Sequence, residues 1–424
     1  GRISLAISKR RLIGMLNVRA DFPVLNRKVN GRPIVYLDSA CMALKPTEVV
    51  QAMNEYYERY PACGGRSIHT LGEEASNAYT ASREKFARFL NAADTAECIW
   101  TRNATESLNM VASSLRLPKD AKIVTSTLEH HSGSLPFVER ARRDGLKIEI
   151  VEAKSDGTFD IEDWKESLDS STRLVSIVHS SNVTGTVAPL EEIIEIAHDR
   201  GALVMSDDAQ YAPHHPLDVQ KLDVDFSAVS VHKMCGPTGM GVLYGKLEHL
   251  EAMDMFLVGG DTVADVRYMD GKIVPEYLPP PEKFEAGLQN YAGAIGAGAA
   301  AEYLTRIGMN KIEKHERALL EAALKSLKDM DHVKIVGTDD IKIKTGLVSF
   351  TLDCVETAHD VAAYLNDQYS VMVRSGWHCV GPFHYQLGIR PTVGTARASF
   401  YLYNNFDDVE RFLEGLRALI EATS

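Results

Sequence analysis

The stretch FSAVSVHKMCGPTGMGVLYG, residues 226–245, joins two short apolar runs through a lysine and a Gly-rich turn. The runs FSAVS (226–230) and GVLYG (241–245) have the length and composition of buried β-strands. Lys233 follows the first run, so it is expected close to a strand end. A lysine held near a crevice is partly desolvated, which lowers its pKa and suits Schiff-base chemistry. A solvated loop lysine is the alternative that this stretch alone leaves open.

Similar apolar runs lie upstream and alternate with helical patterns, which indicates an α/β domain on a mostly parallel sheet. The other five predicted strands are ECIWT (97–101), KIVTS (122–126), KIEIV (147–151), LVSIV (174–178) and LVMSD (203–207). Polar residues follow five of the seven runs. Ligands of open α/β sheets bind outside the carboxyl ends of the strands. We therefore expect one shared site at these ends.

A different pattern follows the large α/β region. PEYLPPPEKFEAGLQNY (275–291) predicts a break in regular structure, and GAIGAGAAAEYLTRIG (293–308) predicts a tightly packed helix. Further strands are predicted at VKIVG, GLVSFTL, VMVRS and ARASFYLY, with helices at TAHDVAAYLNDQ and DDVERFLEGLRALIEA. The expected divisions are a flexible leader (1–17), a segment packing with the small domain (18–40), a large domain (41–300) and a small α+β domain carrying Cys379 (301–424).

Composition narrows the possible partners. The 424 residues are 45% hydrophobic and 25% charged, as in ordinary globular proteins. With 46 basic and 58 acidic residues the net charge is −12, which argues against nucleic acid or an anionic membrane as partner. No stretch approaches the roughly 20 apolar residues that cross a bilayer. The six cysteines form no C-x-x-C pair, so a reducing, cytoplasmic location is expected and no metal site is indicated.

Other polar residues at the strand ends are of the types that would accompany a cofactor-binding lysine. Asp207 ends the preceding strand, where an acidic partner could pair with the pyridine nitrogen of pyridoxal phosphate, although a turn cap is the alternative. Gln210 follows it closely, and Ser230 and His232 lie just before the lysine. A helix starting near Thr105 would offer the positive end of its dipole to a phosphate. A capping box at the helix start is the alternative explanation of the same residues.

Ten segments, in consistent order from about residue 18 to 422, resemble the fold-type I, class V pyridoxal-phosphate enzymes. Within that class they look most like group II cysteine desulfurases of the SufS type. The segments are YLDSACMALKP, RSIHTLGEEAS, RNATESLN, LEHHSGSLPF, SSNVTGTVAPL, SDDAQYAPHHPLDVQ, FSAVSVHKMCGPTGMGVLYG, FEAGLQNYAG, RSGWHCVGPF and TARASFYLYNNFDDVERF. The resemblance to desulfurases rests mainly on RSGWHCVGPF, residues 374–383.

The resemblance implies a fold and a set of roles. The fold is a three-layer large domain with a smaller α+β domain at the C-terminal end. Lys233 would bind the cofactor and later move protons at the substrate α-carbon, and Cys379 would be the nucleophile with Arg374 beside it. The other implied cofactor contacts are His130 stacking on the ring, Asp207 at its nitrogen, Gln210 at its phenolate oxygen, and Thr105, Ser230 and His232 at the phosphate. Asn182 and Arg397 would grip the substrate carboxylate.

Several alternatives stay open for individual residues. His130 could be a surface histidine, and Arg397 could serve a buried ion pair. Cys379 could be a core cysteine, whereas metal ligation is disfavoured because no second ligand stands at a suitable spacing. His378 and Arg374 are candidates for favouring its thiolate. The remaining cysteines, 41, 63, 98, 235 and 354, are expected to be small and mostly buried.

The implied activity is conversion of L-cysteine to L-alanine by a cytoplasmic homodimer. Sulfur would be captured as a persulfide on Cys379 and passed to an acceptor or scaffold protein, for iron–sulfur clusters or other sulfur-containing cofactors. A selenocysteine lyase with the same site is an alternative. So are another class V enzyme, such as a kynureninase-like hydrolase, an epimerase or an aminotransferase, and a non-catalytic scaffold subunit.

Four residues depart from the resemblance. Trp377 and Val380 replace the first histidine and the alanine of the R-x-G-H-H-C-A pattern, which predicts a bulkier, more apolar loop around the cysteine. Leu288 replaces a threonine that typically reaches the neighbouring subunit's cofactor phosphate. Ala104 stands where a second hydroxyl residue is common. We expect weaker phosphate binding as the result.

Overall fold

Buried apolar runs form most strands of the central sheet, and amphipathic segments form many of the helices, in the computed structural model, which describes residues 15–423. The first 14 residues of the predicted leader lie outside the described part of the chain. The strands are β1 (Lys28–Val29), β2 (Arg32–Pro33), β3 (Val35–Tyr36), β4 (Cys98–Thr101), β5 (Lys122–Ser126), β6 (Lys147–Val151), β7 (Thr172–Val178), β8 (Leu203–Asp207), β9 (Phe226–Ser230), β10 (Gly241–Gly245), β11 (Val263–Met269), β12 (Lys272–Tyr277), β13 (Val333–Val336), β14 (Leu347–Leu352), β15 (Val371–Met372), β16 (Arg374–Gly376) and β17 (Thr395–Ser399). The α-helices are α1 (Thr47–Arg59), α2 (Thr70–Leu90), α3 (Ala104–Ser114), α4 (His131–Asp144), α5 (Ile161–Ser167), α6 (Leu190–Asp199), α7 (Val219–Leu222), α8 (Leu247–Ala252), α9 (Tyr291–Ile307), α10 (Met309–Lys328), α11 (Ala358–Tyr369), α12 (Gly381–Gln386) and α13 (Phe406–Thr423).

The central sheet has seven strands in the order β4-β10-β9-β8-β7-β5-β6. Strand β10 runs antiparallel to both neighbours, and the other neighbouring pairs are parallel. All seven predicted strands are confirmed, with bounds that differ by at most two residues. The mostly parallel sheet and the α/β class are confirmed with them.

Helices cover both faces of this sheet, so the large unit has three layers. Successive strand residues point to opposite faces, and they divide between two hydrophobic cores. Val242 and Tyr244 belong to one core, whereas Leu243 between them belongs to the other. This burial on both faces explains why the strands read as continuous apolar runs rather than alternating ones.

A second sheet lies in the C-terminal part of the chain, with the antiparallel order β13-β14-β17-β16. Helix α13 packs on it through five buried residues of its predicted apolar face, Val409, Phe412, Leu413, Leu416 and Leu419. The N-terminal segment joins this unit because β3 pairs in parallel with β15. Val35 and Leu37 are buried in the same core. The domain boundaries themselves stay predictions.

The structure departs from the predicted elements at three places. A hairpin of β11 and β12 precedes the irregular run and overlaps it as far as Tyr277, so that part of the predicted break is wrong. The run VMVRS divides because β15 pairs with β3 whereas β16 pairs with β17. The last predicted strand ends at Ser399, since Asn404 closes a turn back onto Tyr401. No helix within residues 15–423 is long and apolar enough to cross a membrane.

The core under the C-terminal sheet is expected to be sensitive to loss of volume. Phe412 is fully buried, and its ring centroid lies 6.0 Å from that of Phe350. Phe412→Ala is expected to lower the free energy of unfolding by about 3–5 kcal/mol, because it leaves a cavity. Urea unfolding measures the change, with Glu414→Ala on the exposed face of α13 as control. A loss no larger than that of the control would contradict this packing.

Candidate active site

A cavity of about 220 Å³ opens at the carboxyl ends of the central strands. Its walls come from both sheets, because β16 and β17 contribute Arg374 and Arg397. The lining includes every residue that the sequence predicted for the site: Thr105, His130, Asn182, Asp207, Gln210, Ser230, His232, Lys233, Arg374, Cys379 and Arg397. The structure therefore brings all of them together, while their roles stay predictions.

Lys233 and Asp207 form the electrostatic centre of the cavity. Asp207 is the last residue of β8, and Lys233 lies three residues after β9. The two strands are parallel neighbours. Burial lowers the pKa of Lys233, and Asp207 opposes that shift. Burial also raises the pKa of Asp207, against the effect of the lysine charge. Desolvation thus favours the neutral amine, which is the form that attacks a carbonyl carbon.

His130 presents a neutral ring to the cavity. It caps helix α4, and its Nδ1 accepts a hydrogen bond of 3.1 Å from the Ser132 amide. Burial is the main cause that lowers the pKa of His130 to about 3, with the Lys233 charge adding to it. An uncharged imidazole at this position can lie flat against an aromatic ring without carrying a second positive charge beside Lys233.

Hydroxyl groups and a helix N-terminus line one end of the cavity. The Ala104 amide at the start of α3 donates to the Ser230 hydroxyl at 2.9 Å. The Thr105 hydroxyl lies 2.7 Å from that of Ser132. Burial, helped by Lys233, lowers the pKa of His232 to about 4, so its imidazole is neutral and keeps one N–H donor. Hydroxyls, an imidazole and the positive end of a helix suit a phosphate group.

Arg397 links another wall of the cavity to the N-terminal segment. Its Nη1 donates to the Asn182 carbonyl at 2.9 Å, and its Nη2 donates to Asp38 Oδ1 at 3.4 Å. Its Nε and the Oδ1 of Asn182 are buried without a partner within the described chain. Burial raises the pKa of Asp38, against the charges of Arg397 and Arg374. The unpaired Nε–H leaves a donor for a bound carboxylate.

Asp38 is a site-adjacent residue that the sequence did not single out. It lies two residues after β3, next to the buried Leu37, so its position after a strand was the available signal. Because Asp38 pairs with Arg397, the structure contains the ion pair that was the alternative for that arginine, whereas its contact with a substrate carboxylate stays a prediction. The cavity lining also includes Cys41, which is half-buried like Cys354.

The cysteine loop, residues 377–381, carries Cys379 at the exposed mouth of the cavity. Asn182 Nδ2 donates to the His378 carbonyl at 2.6 Å. Burial lowers the pKa of His378 well below its ordinary value, and its Nε2–H donates to the Thr395 carbonyl at 3.0 Å. His378 is therefore neutral and adds no positive charge beside the thiol. Lys233 interacts electrostatically with Cys379, and Arg374 lines the same cavity.

The two bulky residues that the sequence predicted for this loop lie in different surroundings. Val380 is fully buried in the main core, whereas Trp377 is half-buried and meets the ring of Tyr385 edge-on at 5.3 Å. The other cysteines follow the prediction only in part, because Cys98 and Cys235 are buried but Cys63 is exposed. Cys63 lies in the loop between α1 and α2.

The lining fits the pyridoxal phosphate that the resemblance implies. It combines an amine, a facing carboxylate, a neutral imidazole and a phosphate-like cradle. Gln210 Nε2 donates to the Ala40 carbonyl at 2.6 Å, and its Oε1 is buried without a donor within the described residues. The second N–H of Nε2 is a donor of the kind that the predicted contact with a phenolate oxygen requires. Within residues 15–423, no group of three or more His, Cys, Asp or Glu residues could hold a metal ion.

Comparison with known proteins supports this arrangement. Residues 35–412 match the family model for the class-V aminotransferases. A probable cysteine desulfurase of Halalkalibacterium halodurans is 43% identical over 402 residues, which cover 94% of this chain and 96% of that protein. A cysteine desulfurase of Haloferax volcanii is 40% identical, covering 95% and 96%.

A solved structure extends the likeness to three dimensions. The apo cysteine desulfurase from Thermococcus onnurineus NA1 superposes with a TM-score of 0.89 at 39% identity, and the match covers 96% of this chain and 98% of that one. The cysteine desulfurase CsdA of Escherichia coli, solved as an S-sulfonic acid, gives 0.86 at 37% identity over equal shares. The chain belongs to the class-V aminotransferase family and, within it, to the cysteine desulfurases.

Proposed function

We propose that this protein is a pyridoxal-phosphate-dependent cysteine desulfurase that holds sulfur as a persulfide on Cys379. The observation that carries the proposal is the shared cavity, into which the Lys233 amine and the Cys379 thiol both open. The named activity of relatives at about 40% identity over nearly the whole chain supports the same reaction. Pyridoxal phosphate, when bound, supplies an electron sink for the carbanion formed at the substrate α-carbon.

The cavity residues have distinct tasks toward that cofactor. Lys233 would bind it through its amine and, once displaced, would move a proton at the α-carbon of cysteine. Asp207 would pair with the ring nitrogen, which would return the carboxylate to its charged form despite burial. His130 would cover the ring, and the hydroxyls of Thr105 and Ser230 would bind the phosphate together with His232.

The sulfur step uses groups from the other wall. Arg397 would bind the substrate carboxylate through its free Nε–H and hold the side chain of cysteine toward the loop. The Cys379 thiolate would attack the substrate sulfur, so that an S–S bond forms as the C–S bond breaks. The electron pair of that bond stays on the carbon, which takes up a proton to complete alanine. No outside oxidant is needed.

The role of Lys233 is open to a direct test. Lys233→Ala is expected to abolish the borohydride-fixed cofactor label on its peptide and to change the visible absorbance, because none of the other described residues that line the cavity carries an amine. The measurement is an absorbance spectrum with mass spectrometry of the reduced protein. Lys246→Ala, a half-buried lysine outside the cavity, is the control and is expected to stay labelled. A labelled Lys233→Ala protein would refute the assignment.

The role of Cys379 is tested separately. Cys379→Ala is expected to keep the cofactor absorbance but to lose sulfide release from cysteine, with a reductant present, by at least about 100-fold. Cys63→Ala removes another exposed thiol and is expected to retain activity. Selenocysteine and kynurenine, assayed in parallel, distinguish a lyase or hydrolase. Full activity of Cys379→Ala on cysteine would exclude the persulfide and favour another class-V reaction.

We propose further that the protein is a cytoplasmic homodimer that delivers sulfur to an acceptor or scaffold protein. The hairpin of β11 and β12 pairs only with itself, and most of its side chains are exposed. Tyr268 is 79% exposed, Ile273 75% and Leu288 70%. Clustered exposed apolar residues are typical of protein interfaces. All six cysteines are unpaired, which suits a reducing compartment.

The dimer proposal predicts a change in mass on substitution of this hairpin. A double variant, Tyr268→Asp with Ile273→Asp, is expected to sediment as a monomer, because charges would have to be buried at the interface. Analytical ultracentrifugation of the wild-type and variant proteins measures it. Ile150→Asp, at another exposed apolar position, is expected to remain dimeric. A double variant that sediments like the wild-type protein would contradict the assignment of this surface.

A further inference from the structure

The backbone of the cysteine loop is held in an unusual conformation. His378 has a φ of 51° and Cys379 a φ of 59°, so two successive residues with side chains lie in the left-handed region. Such residues rarely adopt this region because Cβ crowds the following carbonyl. A strained backbone of this kind persists only where its surroundings determine it. The contacts that surround the loop therefore decide where the thiol points.

His131 contacts the cysteine loop at two points. Its backbone amide donates to the Cys379 carbonyl at 2.7 Å. Its ring Nε2 accepts a hydrogen bond of 3.1 Å from the amide of Gly381, two residues further on. The first of these bonds survives any substitution of His131, whereas the second depends on the imidazole. The ring is thus the part of this contact that a side-chain change removes.

The local packing suits this ring. A Cβ placed on Gly381 would lie 3.3 Å from His131 Nε2 and 3.2 Å from the indole of Trp377, so glycine permits the close approach. Burial lowers the pKa of His131, which keeps the imidazole neutral. Because the Gly381 amide donates to Nε2, the ring proton lies on Nδ1. The neighbouring residue, His130, caps the same helix and lines the cavity.

We propose that His131 is a positioning residue of the desulfurase reaction, whose Nε2 holds the cysteine loop so that the Cys379 thiol faces the cavity. The inference rests on the proposed function, because it assigns the thiol its task. His131 would then position the cysteine loop while the adjacent His130 lines the cavity, and both lie at the N-terminal end of α4. Reactions depend steeply on such alignment, and a misplacement of about 1 Å can slow a step about 100-fold.

Two variants separate the imidazole contact from mere bulk. His131→Phe removes the acceptor and keeps a ring, whereas His131→Gln places an amide oxygen near the position of Nε2. His359→Phe is the matched control, since His359 bonds to Ser375 beside the loop at 2.8 Å without reaching the cysteine. Cofactor absorbance and thermal unfolding establish that each variant is folded.

The rate of persulfide formation on Cys379 is measured by mass spectrometry in a single turnover with cysteine. The mobility of the segment around Gly381 is measured by hydrogen–deuterium exchange. In His131→Phe we expect faster exchange and persulfide formation slowed about 10- to 100-fold. In His131→Gln both are expected to return close to the wild-type values, and His359→Phe is expected to match the wild type.

Several outcomes would overturn the inference. Persulfide formation at the wild-type rate in His131→Phe would do so, and so would a His131→Gln protein no better than His131→Phe. Absence of persulfide in the wild-type protein would instead overturn the proposed function. The exchange comparison would still decide in that case whether the ring holds the loop, because it does not depend on turnover.

Discussion

Burial of opposite charges at the ends of β8 and β9 is the constraint on which the rest of the site depends. Taking an amine and a carboxylate out of water is unfavourable unless each has a partner. Asp207 and Lys233 moderate each other's pKa, and the cavity around them is closed by residues from the C-terminal sheet. The site therefore lies where residues of the two sheets come together around Asp207 and Lys233.

The second wall of the cavity also contains a buried charge that has a partner of opposite charge. Arg397 is a buried guanidinium on β17, and Asp38 supplies part of its compensation from the N-terminal segment. Its Nε–H is buried without a partner within residues 15–423. The cavity thus combines a guanidinium donor with an amine and a thiol, which are the groups that the proposed reaction of cysteine uses.

The sequence predicted what depends on local pattern. Six of the seven central strands were recognisable as apolar runs because both faces of the sheet are buried there, whereas β6 lies at the more exposed edge. Asp207 was recognisable because it ends β8, and Lys233 because it lies three residues after β9. The hairpin of β11 and β12 was missed because its residues are exposed on both faces. Its turn residues, Asp270 and Gly271, both have positive φ and were the available signal.

Other features could not be read from any short segment. The His131 contact joins residues 250 positions apart, and the Asp38 contact with Arg397 spans 359 positions. Hydrogen bonds of this separation exist only once the tertiary fold has placed both partners. The sequence likewise identified Trp377 and Val380 as unusual, but only the structure separates the anchoring role of Val380 from the exposed contact of Trp377 with Tyr385.

The ion pair between Asp38 and Arg397 has a consequence for how the protein is made. Arg397 is synthesised 359 residues after Asp38. The ion pair therefore cannot form on the ribosome until that length of chain has been made and Arg397 has emerged. A chain terminated between Lys233 and Cys379 would contain the Asp207 and Lys233 pair yet lack the thiol of Cys379 and the guanidinium of Arg397.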